Sequence, residues 1–520
     1  MVRQNRIFPV KKMNNIPCKK NSDIPAPLKH REQGLSLCFL TMLVIISSLF
    51  ASCSPRRGNT SIETMITPLA PTSVPAPTSE RPEYEPGELV DYIAQSGDTL
   101  PALASRFNTT IEEIRQANPV IPDDATTMPP GFPMKIPIYY LPLWGTTFQS
   151  IPDHAFVNGL AQVGVSTSAL VAATNGWLKN YRVYAGDEWR TGHEMVDYVA
   201  TNYSISPRLL LAILEYQTGA LSQPEAPTEK YILGFRRRYY ETPYLQLVVA
   251  ANILNNAYYS WRGGGLTEFE LPDGSLYRPD PWQNAASVAL QYYFSRLYSG
   301  DQFYASIGPD GLARVYRDFF GDPWDDSFIT LPGSLKQPEL RFPFPAGHTW
   351  TYTGGPHTGW GTGEPFAAID FAPPSEYSGC FAVSEDEYVI AMADGFVVRS
   401  NLDGVIIDLD KDGDERTGWV LYYLHLATNG RVQAGVEVKA GDPIGYPSCE
   451  GGRVTGTHVH IARKYNGEWI LADGPLAFNL EGWIAHNGAQ AYQGTLTRGA
   501  ATVTACECSN AFSAVRADDQ

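Results

Sequence analysis

The chain has 520 residues, enough for three or four domains, and a formal net charge of −16. Residues 1–52 contain eight Lys/Arg and two Asp/Glu, so the chain without them carries a net charge of −22. So acidic a body argues against nucleic acid or anionic lipid as its partner.

The first 52 residues have the pattern of an export signal. A basic stretch precedes an apolar run from Leu35 to Ala51, about as long as a signal-peptide core and marginal for spanning a bilayer. The sequence LFASC at 49–53 resembles a bacterial lipobox, which implies a lipid on Cys53 as the first mature residue. An uncleaved signal anchor is the alternative. Both predict export, with the body anchored on the outer face of the cytoplasmic membrane or to an outer membrane.

A tether follows at residues 53–88, where Pro, Thr and Ser predominate. This composition cannot bury a core and favours an extended, solvated chain. We expect it to space the folded body away from the membrane.

Residues 89–140 predict a small β-α-α-β unit. Apolar residues recur at helical spacing after a first alternating strand, and Thr110 with Glu113 fits a capping box that opens the second helix. The Ser-Gly-Asp-Thr-Leu turn at 96–100 and the Asn118-Pro119 pair resemble a LysM domain. The resemblance implies binding of N-acetylglucosamine-containing glycans in shallow grooves beside the helix starts. A structural spacer with the same fold is the alternative.

Residues 141–330 are helical in pattern and rich in Tyr and Trp. The stretch Pro207–Gly219 resembles the helix of lysozyme-like lytic transglycosylases, which implies an all-α middle domain. Gln217 stands where that helix carries its catalytic Glu, and Gln cannot donate a titrating proton. Glu215 lies on a different helix face. We expect a glycan-cradling or scaffolding domain without activity. An acid shifted to Glu215 and an unrelated helical spacer are the alternatives.

Residues 331–500 predict an antiparallel all-β domain, and four of the nine His in the chain lie between His357 and His460. His458 and His460 are two apart in the stretch TGTHVHI, which places both on one face of a strand. His425 lies near the end of the strand-like run WVLYYLHL, and His357 and Asp370 precede that run. Two imidazoles and a carboxylate, with a fourth position left to water, make a catalytic zinc arrangement, whereas a structural site closes all four positions.

These three elements, in this order, resemble the lysostaphin/LytM-type zinc metallopeptidases, which cut peptide bonds in bacterial peptidoglycan. The resemblance covers roughly residues 340–490. Carried over to this chain, it implies that His357, Asp370 and His460 hold one zinc ion and that His425 and His458 form the catalytic pair.

The spacing of the first two ligands departs from the family. The family separates this His and Asp by four positions, whereas His357 and Asp370 are thirteen apart. The Gly-rich stretch 358–365 predicts an inserted loop that bulges out and leaves the two ligands adjacent. His348 is the rival first ligand, but it lacks the Gly-Gly-Pro setting of His357.

Seven cysteines are present, of which four lie in the exported body after Cys53. Four cysteines allow three pairings in an oxidising compartment, and we favour Cys380–Cys449 because both lie in loops that flank the predicted site. Cys506 and Cys508 are too close in sequence to pair without strain, so their state is open. None has the Cys-x-x-Cys spacing of a zinc site.

The stretch Asp408–Asp414 matches the first half of an EF-hand loop. Its twelfth position is Trp419, so the bidentate Glu of a calcium site is missing. We expect an acidic hairpin turn there, with structural calcium as the alternative.

The sequence thus predicts a multidomain cell-wall hydrolase that is a zinc-dependent endopeptidase of peptidoglycan, targeted to glycan by a LysM domain and ending in a tail at 501–520. A non-catalytic peptidoglycan-binding adaptor, or an activator of another hydrolase, is the main alternative. A glycosidase acting through Glu215 is the second.

Overall fold

The computed structural model describes residues 81–139, 141, 145–508 and 510–519. The predicted signal sequence, Cys53 and most of the predicted tether lie outside these residues. Within the described residues, no helix is both long and apolar enough to cross a membrane.

Residues 88–138 form the β-α-α-β unit expected of a LysM domain. Its elements are β1 Glu88–Ile93, α1 Leu100–Arg106, α2 Ile111–Ala117 and β2 Pro133–Ile138, with the two strands antiparallel. The capping box is present: the Thr110 hydroxyl accepts a hydrogen bond from Glu113 N, and Thr110 N donates to the Glu113 carboxylate. A buried ion pair of 2.7 Å between Asp98 and Arg106 ties the turn after β1 to α1.

The middle of the chain is mixed in structure. Its helices are α3 Asp153–Phe156, α4 Thr167–Ala172, α5 Gly192–Tyr203, α6 Pro207–Thr218, α7 Pro243–Gly263, α8 Ala285–Ser295, α9 Gly300–Ile307 and α10 Leu312–Phe320. Two hairpins interrupt them, β3 Arg182–Ala185 with β4 Glu188–Thr191 and β5 Phe269–Glu270 with β6 Leu276–Tyr277. The expectation of an all-α, lysozyme-like domain is therefore not confirmed, because helical periodicity dominates the sequence and hides strands of two to four residues.

The remainder of the chain is built from antiparallel strands. They are β7 Thr349–Thr358, β8 Phe366–Ala372, β9 Val389–Ile390, β10 Gly395–Asn401, β11 Gly404–Asp408, β12 Trp419–Leu424, β13 Glu437–Val438, β14 Pro443–Gly445, β15 Val459–Tyr465, β16 Glu468–Trp469, β17 Asn479–Leu480, β18 Trp483–Asn487, β19 Gly494–Arg498, β20 Ala501–Thr504 and β21 Ala514–Arg516. The main sheet has the order β13-β10-β11-β12-β15-β8-β7-β21, and β17 to β20 form a second sheet. Residues after 500 therefore extend both sheets, although the sequence predicted a tail.

The two faces of the main sheet pack against different partners. Along β15, Val459 and Ile461 belong to the core of the β-domain, while Ala462 belongs to the core that includes the middle helices. Tyr422 and Trp469 join Ala462 in that second core. Because strand side chains alternate, His460 lies on the same face as Ala462, next to the part that the helices cover.

A buried ion cluster joins the three parts of the chain around Arg262, near the end of α7. Its guanidinium contacts Glu468 of β16 at 2.9 Å and Asp153 of α3 at 3.0 Å. It also donates to the carbonyl of Ser96 in the LysM domain and to the Tyr258 hydroxyl. Acids from two domains thus balance the charge of Arg262. The same guanidinium binds the turn after β1 in the third domain, the LysM domain.

The segment 330–335 runs along the LysM domain beside the start of α1. The Ser96 hydroxyl donates to Leu331 O and accepts from Leu331 N at 2.8 Å. The Thr127 hydroxyl donates to Pro332 O at 2.6 Å and accepts from Leu335 N at 3.1 Å. The chain that leads into the β-domain therefore covers this side of the LysM domain.

Candidate metal centre

Strand register brings the three predicted ligands together. His460 on β15 lies directly opposite Asp370 on β8, and β7 returns His357 to the same place through a series of bulges. His357 Nε2 is 3.0 Å from His460 Nδ1, and Asp370 Oδ1 is 3.3 Å from each of those nitrogens. The insertion forms a loop at 359–365 between β7 and β8, so the long spacing does not separate the ligands. His348 lies elsewhere, 3.5 Å from Glu387.

The backbone fixes which nitrogen of each ring faces the cluster. His357 Nδ1 is 2.8 Å from Gly355 O, and His460 Nε2 is 3.2 Å from Gly359 O. Because a carbonyl only accepts, those nitrogens carry the protons and the inward nitrogens present lone pairs. Asp370 Oδ1 is buried and accepts no well-formed hydrogen bond from any described residue. Three acceptors within 3.3 Å of one another, with no proton among them, are suited to hold a cation.

Burial and neighbouring charge set the protonation of these groups. Burial alone raises the pKa of Asp370, but the adjacent His357 and His458 outweigh it and hold that pKa well below its ordinary value. Burial lowers the pKa of His460. The carboxylate is therefore ionised and the His460 imidazole neutral near pH 7, which are the forms that bind metal.

His425 and His458 lie beside this cluster as a pair, with ring centroids 4.6 Å apart. Each uses Nδ1 against a backbone carbonyl, of Glu450 at 3.0 Å and of Gly456 at 2.8 Å, so both Nε2 atoms are left for the groove. His458 Nε2 is 3.7 Å from Asp370 Oδ2. Burial and the two nearby His residues lower the pKa of His425 to about 3.

His425 has a φ of +64°, which is rare for a residue with a side chain. It directly follows β12, where the chain turns away from the sheet. Such strain persists only where the surrounding structure requires the geometry, and it clusters at functional sites.

Tyr492 is a site residue that the sequence did not indicate. Its ring stacks on His357 with centroids 4.1 Å apart and 20° between the planes. The backbone joins the same region, since Gly355 N donates to Tyr492 O at 2.8 Å. Tyr492 lies in the loop between β18 and β19, far from the other motifs in sequence, and no local pattern marks it.

The centre opens into a groove of about 860 Å³ whose loops are bridged by disulfides. Cys380 and Cys449 are bonded, with an S–S distance of 2.05 Å. Cys506 and Cys508 are also bonded, although their short separation left their state open in the sequence. Cys508 lines the groove.

The acidic stretch after β11 forms a turn that leads to β12. Carboxylate oxygens of Asp408, Asp410 and Asp412 lie within 4.8 Å of one another, with Asp408 buried and the other two exposed. Asp408 accepts hydrogen bonds from Asp410 N and Gly413 N. The carboxylate thus stabilises the turn itself, as expected for an acidic hairpin.

The two residues considered for glycosidase chemistry are both engaged in structural contacts. The Glu215 carboxylate accepts from Leu221 N at 2.6 Å and from Ser222 N at 3.1 Å. Gln217 accepts from the Tyr293 hydroxyl and donates to Leu233 O. Glu215 therefore holds the turn after α6.

Comparison with known proteins assigns the class. Residues 377–471 match peptidase family M23, residues 92–137 match the LysM domain, and residues 149–334 match the N-terminal domain of LasA. The chain therefore belongs to peptidase family M23 and carries a LysM domain. Together these domains support a cell-wall hydrolase with metallopeptidase function.

Individual relatives cover different parts of the chain. Protease LasA of Pseudomonas aeruginosa is 24% identical over 322 residues, which are 57% of this chain and 72% of that protein. Beta-lytic metalloendopeptidase of Lysobacter enzymogenes is 30% identical over 145 residues, 26% of this chain and 74% of that protein. The solved structure of the M23 metalloprotease pseudoalterin is 22% identical, with a TM-score of 0.28, and covers 32% of this chain and 96% of that one.

Proposed function

We propose that the protein is a zinc endopeptidase that cleaves peptide bonds of bacterial peptidoglycan. The observation that supports this most is the convergence of two imidazole lone pairs and one carboxylate oxygen, buried and without a proton between them. His357, Asp370 and His460 would hold the ion. Two nitrogen ligands and one oxygen ligand suit zinc in a catalytic site, where one position stays open.

When bound, zinc supplies Lewis acidity at the scissile carbonyl and lowers the pKa of water toward about 7. The neighbouring pair does the proton chemistry. His425 and His458 keep Nδ1 protonated against backbone carbonyls, so each Nε2 can accept a proton from the attacking water. The imidazole that has accepted this proton then donates it from Nε2 to the leaving amine as the C–N bond breaks.

We further propose that the LysM domain binds N-acetylglucosamine-containing glycan and that a lipid on Cys53 anchors the exported protein. The β-α-α-β fold with its intact capping box supports the first proposal, although residues 330–335 cover the side of the domain beside the start of α1. The middle domain would serve as a scaffold, because the Glu215 carboxylate is engaged by backbone amides.

Metal content and turnover of three His variants test the assignment. We expect His460→Ala to lose zinc, because it removes one of three ligands. We expect His458→Ala to keep zinc and to lose turnover by about 10²-fold or more. His348→Ala is the matched control and should keep both. Full activity in His458→Ala would reject its assigned role.

Digestion of purified wall sacculi separates this proposal from its rivals. New free amines indicate a peptidase, whereas new reducing or anhydro-sugar ends indicate a glycosidase. No new ends of either kind, from protein that binds the wall, would favour the non-catalytic adaptor.

A further inference from the structure

The groove around the metal centre carries charged side chains that have no partner within the described chain. Arg453, Glu376 and Glu507 line it, are solvent-exposed, and make no ion pair or hydrogen bond with the described residues. Arg453 is the only Lys or Arg among the described residues that line the groove. Charged side chains left unpaired in a binding groove are available to a ligand of opposite charge.

Arg453 lines the groove together with the catalytic pair. It follows Gly452, where an added Cβ would be 3.4 Å from Cε1 of His425. It precedes by five positions His458, which shares the same loop-to-strand segment. The backbone that carries Arg453 therefore adjoins His425.

Glu507 also lines the groove, and its backbone adjoins β7. It stands between the bonded Cys506 and Cys508, and Cys506 N donates to Tyr352 O at 3.0 Å. Tyr352 is on β7, the strand that carries His357. The short disulfide loop therefore holds this carboxylate on the β7 side of the metal ligands.

We infer that the groove selects a zwitterionic peptide, with a free carboxylate bound by Arg453 on one side of the cleaved bond and a free ammonium bound by Glu507 on the other. Arginine can bind a carboxylate through two parallel hydrogen bonds. Neither Arg453 nor Glu507 has to break an existing ion pair within the described chain before it binds the peptide. A neutral bridge of glycines has no charged group for either residue to bind. This inference rests on the proposed peptidase function and specifies the substrate class.

Four synthetic peptides of one backbone test the inference with the full-length zinc-loaded protein. They differ only at two groups, a carboxylate or its carboxamide and a free amine or its acetyl derivative. We expect the zwitterion to have a KM about fivefold lower than the peptide lacking either charge, since an exposed ion pair contributes up to about 1 kcal/mol. The kcat should be similar for all four.

Variants assign each charge to its residue. Arg453→Gln should abolish the preference for the carboxylate while Arg453→Lys keeps most of it, and Glu507→Gln should abolish the preference for the amine. Arg182→Gln and Glu385→Gln change exposed charges outside the groove and should leave both preferences intact.

The outcomes separate this inference from the proposed function. If the wild type cuts none of the peptides or sacculi, the peptidase proposal itself fails. If the wild type cuts all four equally well, or if Arg453→Gln keeps the carboxylate preference, the charge-selective groove is wrong while the peptidase stands. Loss of the amine preference in Glu376→Gln instead of Glu507→Gln would overturn the placement of the acid.

Discussion

Replacing Arg262 by Met should destabilise all three folded domains together, because this guanidinium balances acids from two of them. Its side chain is 6% exposed, and Glu468 and Asp153 are 2% and 8% exposed. Met preserves most of the apolar stem but removes the charge. The variant would therefore leave two carboxylates buried without a cation and would release the Ser96 carbonyl.

The expected loss follows from burial. Removing one partner of a buried ion pair costs about 3–5 kcal/mol, whereas an exposed pair contributes about 0–1 kcal/mol. With an unfolding entropy of about 2.1 cal/mol/K per residue, a unit of this size has roughly 0.9 kcal/mol/K in total. The Tm should then fall by about 3–5 °C.

Calorimetry of the variant at two pH values is the assay. Burial raises the pKa of Glu468, and Arg262 opposes that rise, so its removal raises the pKa further. The folded variant then binds a proton more tightly than the unfolded chain, and its stability falls as pH rises from about 4.5 through the raised pKa. The deficit relative to wild type should be smaller at pH 5 than at pH 8.

The matched control is Lys411→Met. Lys411 is 3.0 Å from Glu437, but the two side chains are 32% and 67% exposed, so we expect a Tm change below about 1 °C. An equal effect of the two substitutions, or a deficit in Arg262→Met that grows on acidification, would refute the argument from burial.

Three further predictions concern the site and the LysM domain. Tyr492→Ala removes the ring stacked on His357 and should weaken zinc affinity about tenfold in a competitive chelator titration, with unchanged affinity as the contrary result. Thr127→Val removes two hydrogen bonds to the segment 330–335 and should strengthen binding of an N-acetylglucosamine oligomer by up to about tenfold in calorimetry; no change would mean that glycan binds elsewhere on the domain. Replacing Cys380 and Cys449 by Ser opens a loop of 69 residues and should cost about 4 kcal/mol in denaturant unfolding, whereas a change below about 1 kcal/mol would contradict this estimate.

Much of the candidate site could be predicted from the sequence because its motifs are short. His458 and His460 are two apart, and β15 begins at Val459 between them. The β-α-α-β order of the LysM domain could be predicted from its helix caps and its apolar periodicity. Both signals involve residues only three or four positions apart. Family resemblance then supplied which of the nine His belong together.

Other features depend on contacts that no local pattern encodes. Three of them were not predicted from the sequence: the short hairpins of the middle domain, the bond between Cys506 and Cys508, and the stacking of Tyr492 on His357. Each depends on where distant segments pack, because packing can override the weak propensity of a few residues.

The sequence by itself determined the residue types of the candidate metal centre, the two-residue spacing of His458 and His460 and the family resemblance, since each of these depends on short motifs. Only the tertiary structure decided that His357 and not His348 joins Asp370, through the register of β7 against β8 across the inserted loop. It alone also joined the domains through Arg262, because a buried charge is stable only where acids from separate segments converge on it.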